Sequence, residues 1–186
     1  MLKNIVCIIS VALLVVSCGN DSASKESATV AALEVEDLEQ SLIEFIDCKN
    51  TATESHTCKE YIALAISKYY GYDLKGADDS FLPYDEILSK VSKSDDWTEV
   101  GFANDQAVLT KAQENANSGI GTIALSLKSN SVAIVIKGEL THSNSLSLDC
   151  PSVAVFRPRK FNKSFVGKGI NYAWSDLSKV KIYSLK

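Results

Sequence analysis

The chain has 186 residues, which is enough for one domain with a hydrophobic core, and 46% of them are hydrophobic. Its 23 acidic side chains outnumber 19 basic ones, and the formal net charge of −4 argues against nucleic acid or anionic lipid as a general partner. The chain has only two histidines, no metal-binding spacing of Cys and His, and no Gly-rich phosphate loop. We therefore expect neither a metal nor another cofactor.

The N-terminus has the pattern of a secretory signal. Lys3 precedes the apolar run Ile5–Val16, and the small residue Ser17 comes directly before Cys18. The run is too short to span a bilayer as a mature helix. The stretch "VVSC" resembles the lipobox of bacterial lipoproteins, which implies that Cys18 is lipidated and becomes the mature N-terminus. The alternative is an ordinary secretory signal or an uncleaved anchor.

Three segments follow from this pattern. We expect a lipoprotein signal peptide over residues 1–17, a lipidated flexible tether over 18–34, and one domain over 35–186. The tether is rich in Ser, Ala, Asn and charged residues, which cannot bury much surface. Removing Lys3 with the signal peptide changes the formal charge from −4 to −5. The expected location is the bacterial cell envelope, with the protein anchored in a membrane and facing the periplasm or the cell exterior.

Four helices are predicted in the first part of the domain. Leu38, Leu42, Phe45 and Ile46 form an apolar stripe over 36–47. The stretch "TCKEYIALAISKYYG" has capping-box spacing at Thr57 and Glu60 and ends at a glycine. A short third helix follows Pro83, and a fourth runs from a cap at Asn104 to Ser118.

The second part of the domain has the pattern of strands. "GTIALSL" and "SVAIVIK" predict an antiparallel pair, and "SVAVFRP" and "KVKIYSL" predict two more strands. The polar stretch 138–151 between them is predicted to be a long loop, either functional or loosely ordered. Helices followed by an antiparallel sheet make an α+β domain.

The order of these motifs resembles a known family. A cysteine at the start of a strong helix, a Trp97 segment before an alanine-rich helix, then "GTIAL" and "SVAIVIKGE" are similar to the papain-like amidases of the NlpC/P60 superfamily. The tail "SFVGKGINYAWSDLSKVKIYSL" also resembles the end of some members. The resemblance implies a papain-like α+β fold over 35–186, with N-terminal helices packed on an antiparallel sheet. It also implies cleavage of amide bonds in peptidoglycan stem peptides by a cysteine, with a histidine base at the start of a core strand.

Cys58 is the candidate nucleophile. If Thr57 is the N-cap, Cys58 occupies the first helical position, where free backbone amides and the helix dipole favour a thiolate. The alternative for Cys58 is a disulfide or a packed thiol.

The base position is vacant, because Ser131 stands where the family pattern has its histidine. A serine hydroxyl cannot accept and return a proton near pH 7. His56 lies only two residues before Cys58, and His142 lies beyond the opposite end of the predicted strand. We expect both to be solvated loop histidines.

The cysteine count gives Cys58 a second role. With Cys7 removed and Cys18 acylated, Cys48, Cys58 and Cys150 remain in an oxidising compartment. The short connection between the first two helices can bring Cys48 and Cys58 within disulfide range. If they pair, no free nucleophile remains, and Cys150 is left as a buried apolar thiol.

Three functions follow as alternatives. The first is a catalytically impaired papain-like domain, a pseudoenzyme, that binds peptidoglycan peptide or an envelope protein. The second is an active cysteine amidase or endopeptidase using Cys58 with an unrecognised base. The third is an unrelated structural or interaction lipoprotein. Tyr69, Tyr70, Tyr72, Trp97 and Trp174 are candidates to stack on a ligand, although such residues more often belong to a core or its rim.

Overall fold

The computed structural model describes residues 35–51, 58–129 and 131–186. The predicted signal peptide and tether, with Cys18, lie outside the described residues, as do His56 and Thr57. No helix in the described part of the chain combines the length and apolar character needed to cross a bilayer.

The four predicted helices are present. They are α1 (Val35–Thr51), α2 (Tyr61–Tyr70), α3 (Tyr84–Val91) and α4 (Gln106–Asn117). Two predicted starts are wrong. Helix α2 begins three residues after Cys58, and α4 is capped by Asp105 and not Asn104. The Asp105 carboxylate accepts a 2.8 Å hydrogen bond from the Ala107 amide.

Eight strands follow or separate these helices. They are β1 (Trp97–Phe102), β2 (Thr122–Ser126), β3 (Val132–Val135), β4 (Thr141–Ser143), β5 (Leu148–Cys150), β6 (Ser152–Val155), β7 (Phe165–Gly169) and β8 (Val180–Leu185). Six of them form one sheet in the order β1-β8-β2-β3-β6-β7, in which every neighbouring pair is antiparallel. The predicted pairing of β2 with β3 is confirmed, with Ile123 opposite Ile134.

Strands β4 and β5 correct the prediction of a loop over 138–151. They form a separate two-stranded hairpin in which His142 lies opposite Asp149. The Gln106 side chain bonds both backbone groups of Asp149, at 2.7 and 3.1 Å, and this fixes the hairpin against the start of α4.

The sheet has a hydrophobic core on each face. On β3, Val132 and Ile134 join one core with residues of α1, α2 and α3, whereas Ala133 and Val135 join the other with residues of α4. This alternation is the two-residue period of a strand buried on both sides. The domain is therefore α+β, as predicted, with helices covering both faces of an antiparallel sheet. Both cores are built from described elements between residues 35 and 186.

Candidate functional site

Cys58 lies in the hydrophobic core and not at a helix start. Its sulfur is bonded to that of Cys48, with 6.2 Å between the two Cα atoms, and its side chain is 0% exposed. Its φ of 57° lies in the left-handed region, so the backbone at Cys58 is not helical. The expected placement of a thiolate at the first helical position of α2 is wrong. The disulfide alternative is the one that the structure contains, and in this state Cys58 has no thiol to attack a substrate.

Ser131 lies at a surface cleft, immediately before β3. Its Oγ is 2.7 Å from the Ser129 Oγ and accepts a 3.0 Å hydrogen bond from the Trp174 indole. The turn between β2 and β3 thus presents two hydroxyls, and Trp174 fixes one of them. Serine hydroxyls donate and accept hydrogen bonds and an indole N–H only donates, but none of these groups can act as a general base near neutral pH.

This Ser131 cleft has a volume of about 240 Å³. Its walls combine aromatic rings, hydroxyls and cations, and no carboxylate from the described residues lines it. The lining residues are Tyr84, Ser129, Ser131, Phe156, Arg157, Pro158, Arg159, Lys160 and Trp174. Such a cleft suits a ligand with apolar parts and at least one negative charge.

The chain at Cys58 reaches this cleft through its neighbour. The Lys59 carbonyl accepts a 3.0 Å hydrogen bond from the Tyr84 amide, and Tyr84 lines the Ser131 cleft. The structure therefore brings the segment after Cys58 towards the cleft that holds Ser131, while the Cys58 sulfur lies in the core. Of the sequence-predicted site residues, Ser131 is in the cleft and Cys58 is not among the lining residues.

Arg157 is held through both its side chain and its backbone. Its guanidinium donates to the Ala173 carbonyl, and its backbone amide donates to the Ser164 Oγ at 2.8 Å. Its Nε is buried and has no partner among the described residues. Partial burial lowers the pKa of the Arg157 guanidinium, because a charge loses solvation there.

Arg157 also lines a second depression beside the first. This Lys168 cleft, of about 290 Å³, likewise has no carboxylate from the described residues in its wall. Its lining residues are Arg157, Asn162, Lys163, Ser164, Phe165, Lys168 and Tyr172. The two clefts therefore share one lining residue, Arg157.

The remaining candidates do not join these clefts. The Nδ1 of His142 is 2.8 Å from the Asp149 Oδ1 on the exposed β4–β5 hairpin. Cys150 is buried, and burial raises the pKa of its thiol, which makes it a weak nucleophile.

No cluster of three or more metal-ligating side chains occurs within the described ranges. A larger depression of about 470 Å³ beside α3 has lysine and glutamate together in its wall and no aromatic ring.

The chain was compared with protein-family models and with curated proteins. No family model matches it, and no curated protein matches it. The resemblance to papain-like amidases therefore stays a hypothesis based on its own residues.

Several cleft residues had no sequence prediction. Arg157, Arg159 and Lys160 belong to a stretch, residues 150–175, that contains five basic residues and no acidic one. That local charge bias was a usable signal for a binding surface. The sequence could not show that these basic residues lie beside Ser131 and Tyr84, because that depends on how β3 and β6 pair.

Proposed function

We propose that this protein is a bacterial envelope lipoprotein whose divergent papain-like domain binds peptidoglycan peptide in the Ser131 cleft without cutting it. One observation carries the proposal. The sulfur of the expected nucleophile is in a buried disulfide, whereas the position of the expected base forms the wall of an open cleft.

The chemistry of the cleft supports binding over hydrolysis. Hydrolysis by a thiol needs a group that takes the thiol proton and returns it to the leaving amine. No imidazole or carboxylate from the described residues lines the Ser131 cleft. Stem peptides carry free carboxylates, which match the charges of Arg159 and Lys160, and the Trp174 ring offers an apolar surface to the peptide.

The active amidase stays a second candidate because Lys59 contacts Tyr84 of the cleft wall. Hydrolysis would require reduction of the Cys48–Cys58 disulfide and movement of the Cys58 sulfur out of the core.

Digestion of muropeptides by the purified protein, followed by mass spectrometry, separates the two functions. We expect no product with or without reductant. Cleavage by the wild type that disappears in Cys58→Ala would contradict the proposal.

Binding is tested by titrating muropeptides into the wild type and Trp174→Ala. We expect the variant to lose roughly five- to thirtyfold in affinity, as for a central aromatic contact. Phe102→Ala is the matched control, since Phe102 is 42% exposed on β1, an edge strand that β8 and β2 separate from β3. Trp174→Phe, which keeps a ring in place, covers the case in which the alanine variant unfolds.

Equal affinity for wild type, Trp174→Ala and Phe102→Ala would place the ligand outside the Ser131 cleft. Absence of binding to any muropeptide would leave a partner protein or an unrelated role as the better interpretation.

A further inference from the structure

Peptide binding in the Ser131 cleft gives no role to the positive charge around the Lys168 cleft. Residues 150–175 carry five basic side chains and no acidic one, in a chain whose formal charge is −4. The bases are Arg157, Arg159, Lys160, Lys163 and Lys168. Within the described ranges, none of the five forms a salt bridge with a carboxylate, whereas some lysines elsewhere, such as Lys68 and Lys181, do.

We propose that the Lys168 cleft binds a phosphate group. Arg157, Lys163 and Lys168 all lie in its wall, so three cations from three parts of one segment converge on about 290 Å³. A single carboxylate carries one negative charge, but a phosphate carries one or two and offers several acceptor oxygens. The number of cations therefore favours phosphate.

The donors around this cleft are held in place before any ligand arrives. The Lys168 ammonium is 5.7 Å from the Phe165 ring centre and 5.8 Å from that of Tyr172, so two aromatic faces hold it. The Ser164 hydroxyl accepts from the Arg157 amide, which leaves its own hydrogen able to donate to a ligand. Such preorganisation lowers the entropy cost of binding.

Arg157 supplies a physical reason for an anion here. Its guanidinium is partly removed from water, yet the partner that the structure shows for it is the neutral Ala173 carbonyl, and its Nε is unpaired within the described part. A desolvated charge without a counter-charge is costly. An anion in the adjoining cleft would offset this cost.

The net negative charge of the chain does not prevent local binding. Charges further away than about 8–10 Å are largely screened at physiological salt, so a phosphate in the cleft responds mainly to the cations around it. The source of the phosphate is either a lipid headgroup or a soluble phosphate. Only the lipid source depends on the proposed membrane anchor.

The test uses residues 18–186 carrying Cys18→Ser, which keeps every described residue and removes the acylation site. Amide chemical shifts are recorded by NMR during titration with inorganic phosphate, with glycerol phosphate, and with phosphatidylglycerol vesicles against phosphatidylcholine vesicles. We expect the shifts to be concentrated between residues 157 and 172. Lys163→Gln with Lys168→Gln should weaken binding on the order of tenfold or more, since charged hydrogen bonds are lost.

Lys128→Gln with Lys179→Gln is the matched control. These two lysines line a different depression beside Asp176, and their loss changes the net charge by the same amount. The control pair should leave phosphate affinity unchanged. An equal loss in both pairs, shifts centred elsewhere, or no response to any phosphate would overturn the proposal.

The two proposals fail separately. Neither Lys163 nor Lys168 lines the Ser131 cleft, so the Lys163→Gln, Lys168→Gln variant should bind muropeptides as the wild type does. Unchanged phosphate affinity in this Lys163→Gln, Lys168→Gln variant would overturn the phosphate site, whereas loss of its muropeptide affinity would contradict the placement of the peptide in the Ser131 cleft. Vesicle binding without a response to the soluble phosphates would identify the lipid headgroup as the source, and the reverse pattern would identify a soluble phosphate.

Discussion

Tyr70 shows how one residue joins helix α2 to the sheet. Its hydroxyl donates to the Val135 carbonyl on β3, and the ring is 7% exposed. Its neighbour Tyr69 accepts a 3.1 Å hydrogen bond from the Lys137 amide just after the same strand. The sequence predicted a helix over these tyrosines, but it could not show that both reach the same strand, because that depends on the crossing of α2 over β3.

We expect Tyr70→Phe to lower the free energy of unfolding by about 1–3 kcal/mol at pH 7, because the buried Val135 carbonyl loses its donor. Burial raises the pKa of Tyr70, with a smaller contribution from Tyr69, so the native state keeps the proton that the unfolded state releases near pH 10. The unfolded state then binds fewer protons, and wild-type stability falls as the pH rises above 10. The difference between wild type and variant should therefore narrow there.

Urea unfolding at pH 7 and pH 10.5 measures both effects. Tyr172→Phe is the control, since Tyr172 is 66% exposed and its change should stay within about 0.5 kcal/mol. A difference that widens at high pH would show that Tyr70 ionises in the native state.

Elements with a long apolar pattern or a clear capping residue were predictable, whereas strands that are very short or interrupted by glycine were not. The stripe of α1 and the apolar runs of β2 and β3 predicted three correct elements. Strand β7 was missed because Gly167 and Gly169 weaken the strand pattern, and β1 because Glu99 and Gly101 flank a register shift. Strands β4 and β5 have three residues each, too few for a period to be recognised.

Helix α1 is joined to the approach to α2 by the Cys48–Cys58 disulfide. The two cysteines are ten positions apart, and closing a loop of that size is worth about 2.5–3 kcal/mol by loop entropy. We expect reductant to lower the free energy of unfolding by this amount without unfolding the domain, because Phe45 of α1 stacks on Phe161 at 4.6 Å and contacts Phe156. Urea titrations with and without dithiothreitol measure this fall in the free energy of unfolding. The Cys48→Ala, Cys58→Ala variant should show no response to reductant.

Helix α4 is fixed to the sheet by a buried amide. The Gln113 Nε2 donates to the Ile136 carbonyl at 2.8 Å, and its Oε1 accepts from the Ser152 amide at 3.0 Å. We expect Gln113→Leu to destabilise the domain by about 2–4 kcal/mol in urea, since the buried Ile136 carbonyl and the partly buried Ser152 amide lose their partners. Lys111→Leu, on the exposed side of α4, is the control and should change stability by no more than about 0.5 kcal/mol. Equal changes in stability for the two variants would mean that Gln113 stabilises the domain through its shape and not through its hydrogen bonds.

At the scale of the molecule, the candidate site is built from distant parts of the chain. Tyr84 comes from α3, Ser131 from the turn before β3, Arg157 from the segment after β6, and Trp174 from the tail. The sequence could indicate each residue type but not their meeting, which follows from the strand order β2-β3-β6. Ser131 was the exception, because the resemblance to papain-like amidases placed it where their catalytic histidine stands.

Cys18 is the residue on which attachment of the whole protein to a membrane should depend. The two cores contain residues between 35 and 185, and we expect the domain to fold without a lipid on Cys18. We expect Cys18→Ser to move the protein from the detergent phase to the aqueous phase in a detergent partition, with an unchanged melting temperature. The physical reason is the loss of acyl chains, each methylene of which is worth about 0.8 kcal/mol when buried in a membrane.

Cys7→Ser is the matched control, since Cys7 belongs to the predicted signal peptide and its replacement should leave the partition unchanged. Retention of Cys18→Ser in the detergent phase would refute the lipoprotein hypothesis, and a lowered melting temperature would show that residues before 35 take part in the fold.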